Sequence, residues 1–215
     1  MQFCQANRRA TQIIRSLPEY KAIVKYAPNV LRGALAIGVG NFFSVGTLYR
    51  KLRRYECDDC GDFAGYLFLL SCRRVCHFCL HYDMAYLPIY PGKARSHIQP
   101  RMTIVPGLYA MIGRRLDRLA LIDRAFATPA ERFIYHNRQT SKSWERPGHP
   151  LRYVSVVRAP WFNTAQGQAE WGFHCVGCSN LSRFPRHWRR KFTAATFKEH
   201  LEECGEITNG RHIDV

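Results

Sequence analysis

Cys57-Asp58-Asp59-Cys60-Gly61, followed by Cys76-His77-Phe78-Cys79 with 15 residues between Cys60 and Cys76, is the part of the chain that says most about its architecture. Each pair separates two thiols by two residues, so one tight turn aims both sulfurs at a single point, and Gly61 suits the turn of the first pair. Two such pairs at this distance complete a tetrahedral site, whose expected ligands are Cys57, Cys60, Cys76 and Cys79. Cys72 is an alternate thiol, and His77 and His81 are further candidate donors. A cluster of reduced, buried cysteines without metal would leave the paired spacing unexplained.

A second constellation lies near the C-terminus. Cys175-Val176-Gly177-Cys178 is another two-residue knuckle, and His200-Leu201-Glu202-Glu203-Cys204 places two donors four residues apart, on one face of a predicted helix. Cys175, Cys178, His200 and Cys204 are therefore the expected ligands of a second site, with His174 and His187 as alternates. The 21 residues between Cys178 and His200 make a longer loop than most fingers have. Phe173, Phe192, Phe197 and Leu201 are the expected small core around it. Two structural Zn2+ ions follow, because each site takes all four ligands from the protein and leaves no position for an activated water.

Working outward, the chain has 215 residues and is 47% hydrophobic, enough to bury a core and to exclude wholesale disorder. Lys and Arg number 32 against 16 Asp and Glu, and 25 of the 32 are Arg, an excess that favours phosphate, nucleic acid, an anionic surface or an acidic protein. Nine cysteines in tight pairs, with no secretory signal before them, point to metal-binding thiols in a reducing, intracellular setting, cytoplasm or nucleus. The uncharged run Gly33 to Tyr49 is too short and too rich in glycine to span a bilayer, and it reads as two packed helices; no membrane partner is expected.

Residues 1–54 read as a helical region. Ser16 and Glu19 have capping-box spacing, Pro28 suits the first turn of another helix, and a further helix is expected from Ser44. Residues 55–90 form the four-cysteine module around the apolar run Tyr66 to Leu70, a short buried strand. Residues 91–136 read as mixed, with strands at Met102 to Val105 and Leu119 to Ile122 and a helix from Asp123 towards Tyr135. Polar residues 137–150 look like a linker. Residues 151–215 carry a strand at Arg152 to Arg158, another at Ala169 to His174, and a helix from Thr193 to Cys204 with Thr196 and Glu199 at capping-box spacing; the last residues are expected to fray.

No glycine-rich phosphate loop, nucleophile elbow or metalloprotease histidine pair is present, so no catalytic residues are assigned and no enzyme is expected. Asp58, Asp59 and Asp62 read as solvated turn residues. Two basic clusters remain: Arg50, Lys51, Arg53 and Arg54, and then Arg183, Arg186, Arg189, Arg190 and Lys191 around Trp188. Arginine interleaved with an exposed aromatic can hold phosphates and stack on bases, which makes the second cluster a candidate nucleic-acid contact. A solvated basic face is the alternative for both.

The order of motifs resembles a known family. Ser16-Leu17-Pro18-Glu19-Tyr20, Tyr26-Ala27-Pro28, Leu48-Tyr49, Cys57-x-x-Cys60-Gly61-x-Phe63, Gly65-x-Leu67-Phe68-Leu69 and Cys72-x-Arg74-x-Cys76-x-x-Cys79-Leu80 are similar to the body of filamentous-fungal F-box proteins. The resemblance continues through Arg152-Tyr153, Pro160-Trp161, the Gly172 to Cys178 knuckle and Phe197-x-x-His200-Leu201-x-x-Cys204. It implies a protein partner, either a subunit of a cullin-type ubiquitin ligase or a substrate recruited to one. Members of that family often carry a cysteine where Val75 stands, so the resemblance supports Cys76 and Cys79 as the second pair. Phe3, Cys4, Asn7, Arg8 and Arg9 match only the tail of the F-box itself, so docking on the ligase linker subunit is expected to be weak or absent.

The expected fold is therefore α+β and irregular, with small sheets and short helices organised around two structural zinc sites. The expected function is a non-enzymatic protein-interaction module, and the alternative is a zinc-containing nucleic-acid-binding protein using its basic surface.

Overall fold

The computed structural model describes residues 8–89, 101–103, 107–109, 114–116, 120–126, 147–179 and 187–213. Four helices open it: α1 (Arg8–Ser16), α2 (Pro18–Tyr26), α3 (Pro28–Ala36) and α4 (Val45–Leu52). Proline starts both α2 and α3, where its missing N–H would have no helical partner anyway. The Ser16–Glu19 capping box does not form. Ser16 is the last residue of α1 and its hydroxyl donates back to the Ile13 carbonyl at 2.7 Å, which leaves Leu17 as the N-cap of α2. Ser44 caps α4 as expected, accepting from the Thr47 N–H at 3.1 Å. Ile23, Val30, Ala34, Leu48 and Leu52 turn inward from these helices and form one side of the main core.

The other side is a three-stranded antiparallel sheet of β1 (Tyr66–Phe68), β2 (Arg73–Val75) and β7 (Val156–Arg158), in the order β2-β1-β7. Tyr66 faces Val75 on one neighbour and Arg158 on the other, so a strand from beyond the polar linker completes the sheet of the first cysteine module. Leu67, Phe68, Leu69, Val75 and Leu80, the last on helix α5 (His77–Tyr82), fill the space beneath it.

Two arginines hold this sheet from inside. Arg74, fully buried on β2, donates to the carbonyls of Ala64, Ala159 and Pro160, the last at 2.9 Å. Arg152, also fully buried, donates to the carbonyls of Leu80 and Asp83 and so closes the C-terminal end of α5. That clamp explains why the strand expected from Arg152 begins only at Val156: residues Pro150–Ser155 form a 3₁₀ turn that delivers Arg152 to the carbonyls.

Between these parts, β3 (Arg101–Thr103) pairs with β6 (Ala120–Ile122), matching the two strands expected there, and β4 (Gly107–Tyr109) pairs with β5 (Arg114–Leu116). Of the helix expected from Asp123, the described part is a single 3₁₀ turn, Arg124–Phe126, whose Ala125 N–H is held by Asp123 Oδ1 at 2.9 Å. The rest of that helix and most of the 137–150 linker lie outside the described residues. A hairpin of β8 (Trp161–Asn163) and β9 (Gln168–Glu170) leads into the C-terminal module.

That module contains β10 (Phe173–His174) paired with β11 (Lys191–Phe192), the one-turn helix α6 (Val176–Ser179), helix α7 (Ala194–Cys204), and a closing hairpin of β12 (Ile207–Thr208) and β13 (Arg211–His212). The helix cap sits one turn earlier than expected: Thr193 accepts from the Thr196 N–H, while the Thr196 hydroxyl accepts from the Thr193 N–H. Of the tail expected to fray, the described part forms this closing hairpin, and residues 214–215 lie outside the described residues. The fold is α+β, made of short helices and small antiparallel sheets, with two clusters of Cys and His side chains. Among the described residues, no helix is long and apolar enough to cross a membrane.

Candidate metal centres

The first cluster assembles from two turns. The turn after Cys57 brings Cys60 beneath the end of β2, and Cys76 leaves β2 to become the N-cap of α5. One ligand atom each from Cys57, Cys60, Cys76 and Cys79 lies within 4.8 Å of every other. Cys60 and Cys76 sulfurs stand 3.6 Å apart, far from a disulfide bond and close to the edge of about 3.8 Å that a tetrahedron of zinc-length metal–sulfur bonds requires. Backbone N–H groups point at the sulfurs: Cys76 N–H to Cys57 at 3.3 Å, and Cys79 N–H to Cys76 at 3.4 Å.

The electrostatics of the bare cluster are uneven. Cys57 is drawn down to about 5 by the Cys76 thiol and, despite burial, by backbone N–H groups. Cys76 is pushed up by that same hydrogen bond and by burial, and Cys60 and Cys79 are pushed up chiefly by burial. One thiolate is thus tolerated and four are not. A divalent cation at the centre reverses the balance, since it supplies the opposite charge that packed thiolates need.

Around this centre the three aspartates are not solvated turn residues. Asp58 accepts from Lys51 at 2.7 Å and from the Arg74 N–H at 2.8 Å. Asp59 accepts from Arg73 and from the Tyr86 hydroxyl, and Asp62 accepts from Arg190 at 2.9 Å. Each carboxylate ties a basic side chain to the knuckle. The first basic cluster is partly used up in this way, because Arg54 also lies 3.6 Å from Glu56 and 3.8 Å from Asp58.

Cys72 stays outside the cluster. It sits in the turn between β1 and β2 with φ of 54°, buried, and its thiol is raised to about 11 mainly by that burial. His77 and His81 are outside it too. His81 Nδ1 meets the Tyr153 hydroxyl at 2.8 Å, and His77 stacks on His81 with ring centres 5.4 Å apart.

The second cluster differs from expectation at one ligand. Cys175, Cys178, His200 and His212 converge, all four buried, with their donor atoms within 4.8 Å of one another; Cys204 is not of this group. His212 Nε2 lies 3.3 Å from the Cys175 sulfur and 3.5 Å from that of Cys178, and His200 Nε2 lies 3.3 Å from Cys178. A tetrahedral zinc-sized ion has sulfur–nitrogen edges of about 3.5 Å, so these separations fit. The reason His212 displaces Cys204 is the closing hairpin. Gly205 ends α7 and the chain doubles back through β12 and β13, which carries the imidazole over the knuckle. His212 Nδ1–H donates to the Gly205 carbonyl at 2.7 Å, fixing the tautomer that leaves Nε2 for the metal.

Gly177 is required for this approach, because a Cβ there would stand 2.7 Å from the His212 ring and 3.1 Å from Ile207. The small core is aromatic: the Phe192 ring lies 4.4 Å from His200, Phe197 lies 5.7 Å from Phe192, and Ile207 packs beside them. Phe173 meets Phe197 edge-on at 5.0 Å but stays 43% exposed, and Ile207 packs on the small core in the place expected of Leu201. His174 faces the Arg190 carbonyl at 3.1 Å and is exposed, outside the cluster, while the His187 side chain lies outside the description.

Of the second basic cluster, Arg183 and Arg186 lie outside the described residues. Arg190 is paired with Asp62, Lys191 donates to the Trp171 carbonyl at 2.6 Å, and Arg189 lies over the exposed Trp188 ring at 4.2 Å. The missed ligand, His212, had one signal in the sequence: Asn209-Gly210, a strong hairpin-turn pair one residue ahead of it. No protein-family model, curated protein or solved structure matches the chain.

Proposed function

We propose that the chain is a non-enzymatic protein-interaction module in which both clusters hold structural Zn2+. The observation that carries this reading is that each cluster brings four protein donors, and only S and N donors, to one point at zinc-like separations. With all four positions of a tetrahedron filled by side chains, the ion has no open site for water, and its work is to hold turns together that a short apolar core could not. The resemblance to F-box substrate receptors rests on the motif order, whose Arg74, Arg152 and Pro160 take part in the clamps of the sheet. On that reading the partner is a ligase subunit or a recruited substrate.

The test is affinity purification of the full chain from its native cell, with quantitative mass spectrometry and metal analysis of the same eluate. A stoichiometric protein partner, a ligase subunit or a recruited substrate, recovered together with zinc supports the reading. Zinc-free protein, or recovery of ribonucleoproteins alone, contradicts it.

A further inference from the structure

A cleft of about 260 Å³ opens between the two metal centres, with the start of α5 on one wall and residues 188–191 on the other. Its charge is one-sided. The carboxylate in its lining, Asp62, is already matched by Arg190 through bonds of 2.9 and 3.1 Å. That leaves Arg158, Arg189 and Lys191 without a carboxylate among the described residues. Lys191 is held below its ordinary value by burial and by the charge of Arg158, as expected where positive charge is not compensated.

Much of the rest of the lining is flat rings, among them the imidazoles of His77 and His174. Tyr66 and Phe78 contribute rings from the sheet and from α5, and Trp188 stands at the opening, 44% exposed, with Arg189 across its face. Arg158 is likewise laid over Trp171, 5.6 Å from the ring. Guanidinium groups parked on indoles are pre-positioned, so less side-chain freedom is lost when they meet an anion.

A ligand that satisfies this cleft needs an anionic group and a planar ring together. We propose that it binds one nucleotide of a single-stranded nucleic acid, the phosphate on Arg158 and Arg189 and the base against Trp188. A duplex keeps its bases stacked inside and cannot offer one to a cleft of this size. A phosphotyrosine peptide carries a ring and a phosphate, but the chain's net charge of +16 favours a ligand with a phosphate at every unit. The proposal goes beyond the protein-interaction reading and does not depend on it, although Cys76 of the first centre lines the cleft.

The experiment is fluorescence anisotropy of the full chain with a labelled single strand of about twelve nucleotides, within the range such sites cover, over a series of salt concentrations. Competitors are a duplex of the same length, AMP, and a phosphotyrosine peptide. R158A, R189A and W188A are measured alongside, each with its zinc content and thermal transition recorded, since all three side chains are exposed and their loss should leave the fold intact. Expected are binding that weakens with salt, a salt slope smaller by about 0.7 for each arginine removed, and affinity lowered about tenfold in W188A. Any of four results overturns the proposal: no binding at low salt, unchanged binding in the three folded variants, equal binding of duplex and strand, or AMP or the phosphopeptide binding as tightly as the strand. Loss of zinc with retained strand binding would instead count against the structural-zinc reading alone.

Discussion

His212 meets two demands with one ring. Its Nδ1–H is taken up by the Gly205 carbonyl, and its Nε2 is left facing Cys175 and Cys178. The competing donor, Cys204, is half-exposed and its thiol is raised chiefly by burial and by the neighbouring Glu203, against the opposing charge of Arg190. His212→Ala should therefore remove the C-terminal metal while Cys204→Ser retains it, read as metal per chain after gel filtration. Gly177→Ala offers a subtler probe. The added methyl must push the imidazole off the knuckle, and metal affinity at this site should fall at least about tenfold in chelator competition, comparable to the loss of a supporting ligand contact.

Elements show why some of this architecture could be read from the sequence and some could not. Helices α3 and α4 announce themselves because Pro28 and Ser44 are start signals with no rival use. Ser16 has a rival use: it belongs to the end of α1, and a local pattern does not say which of two abutting helices owns a residue. The first metal cluster is legible for a similar reason, its four ligands being two local pairs. The second is legible for three ligands. The fourth was assigned to the same helix as His200, whereas the actual donor arrives on a separate hairpin whose turn, Asn209-Gly210, has both residues at positive φ, 52° and 75°. Buried arginines were not legible either, since Arg74 and Arg152 acquire their carbonyl partners only when distant segments meet. At this scale the cap of α7 is the accessible test. Thr193→Ala removes a side chain that holds the helix start beside Phe192, and it should lower stability by about 1 kcal/mol in denaturant titration.

Across the whole molecule the two metal centres are tied to each other. Asp62 beside the first knuckle pairs with Arg190, ahead of α7. Gly172, at φ of 61°, lies so close to Phe63 that a Cβ would fall 2.7 Å from its ring. Stability should then depend also on buried groups outside the two ligand sets. Cys72 is one: burial raises its thiol from 9.0 to about 11. A raised acid favours the folded state fully at pH below 9.0 and loses that contribution as pH climbs towards about 11, because the unfolded chain ionises first. Stability of the metal-loaded protein should fall across that interval, and the decline should be shallower in Cys72→Ala.

The claim on which the rest depends is that each of the two clusters is closed around one zinc ion. Native mass spectrometry of the full chain, purified without chelator, counts them directly. Two zinc ions per chain, falling to one in His212→Ala, is the result this structure predicts. A metal-free chain that still folds, or a His212→Ala variant that keeps both ions, would contradict it.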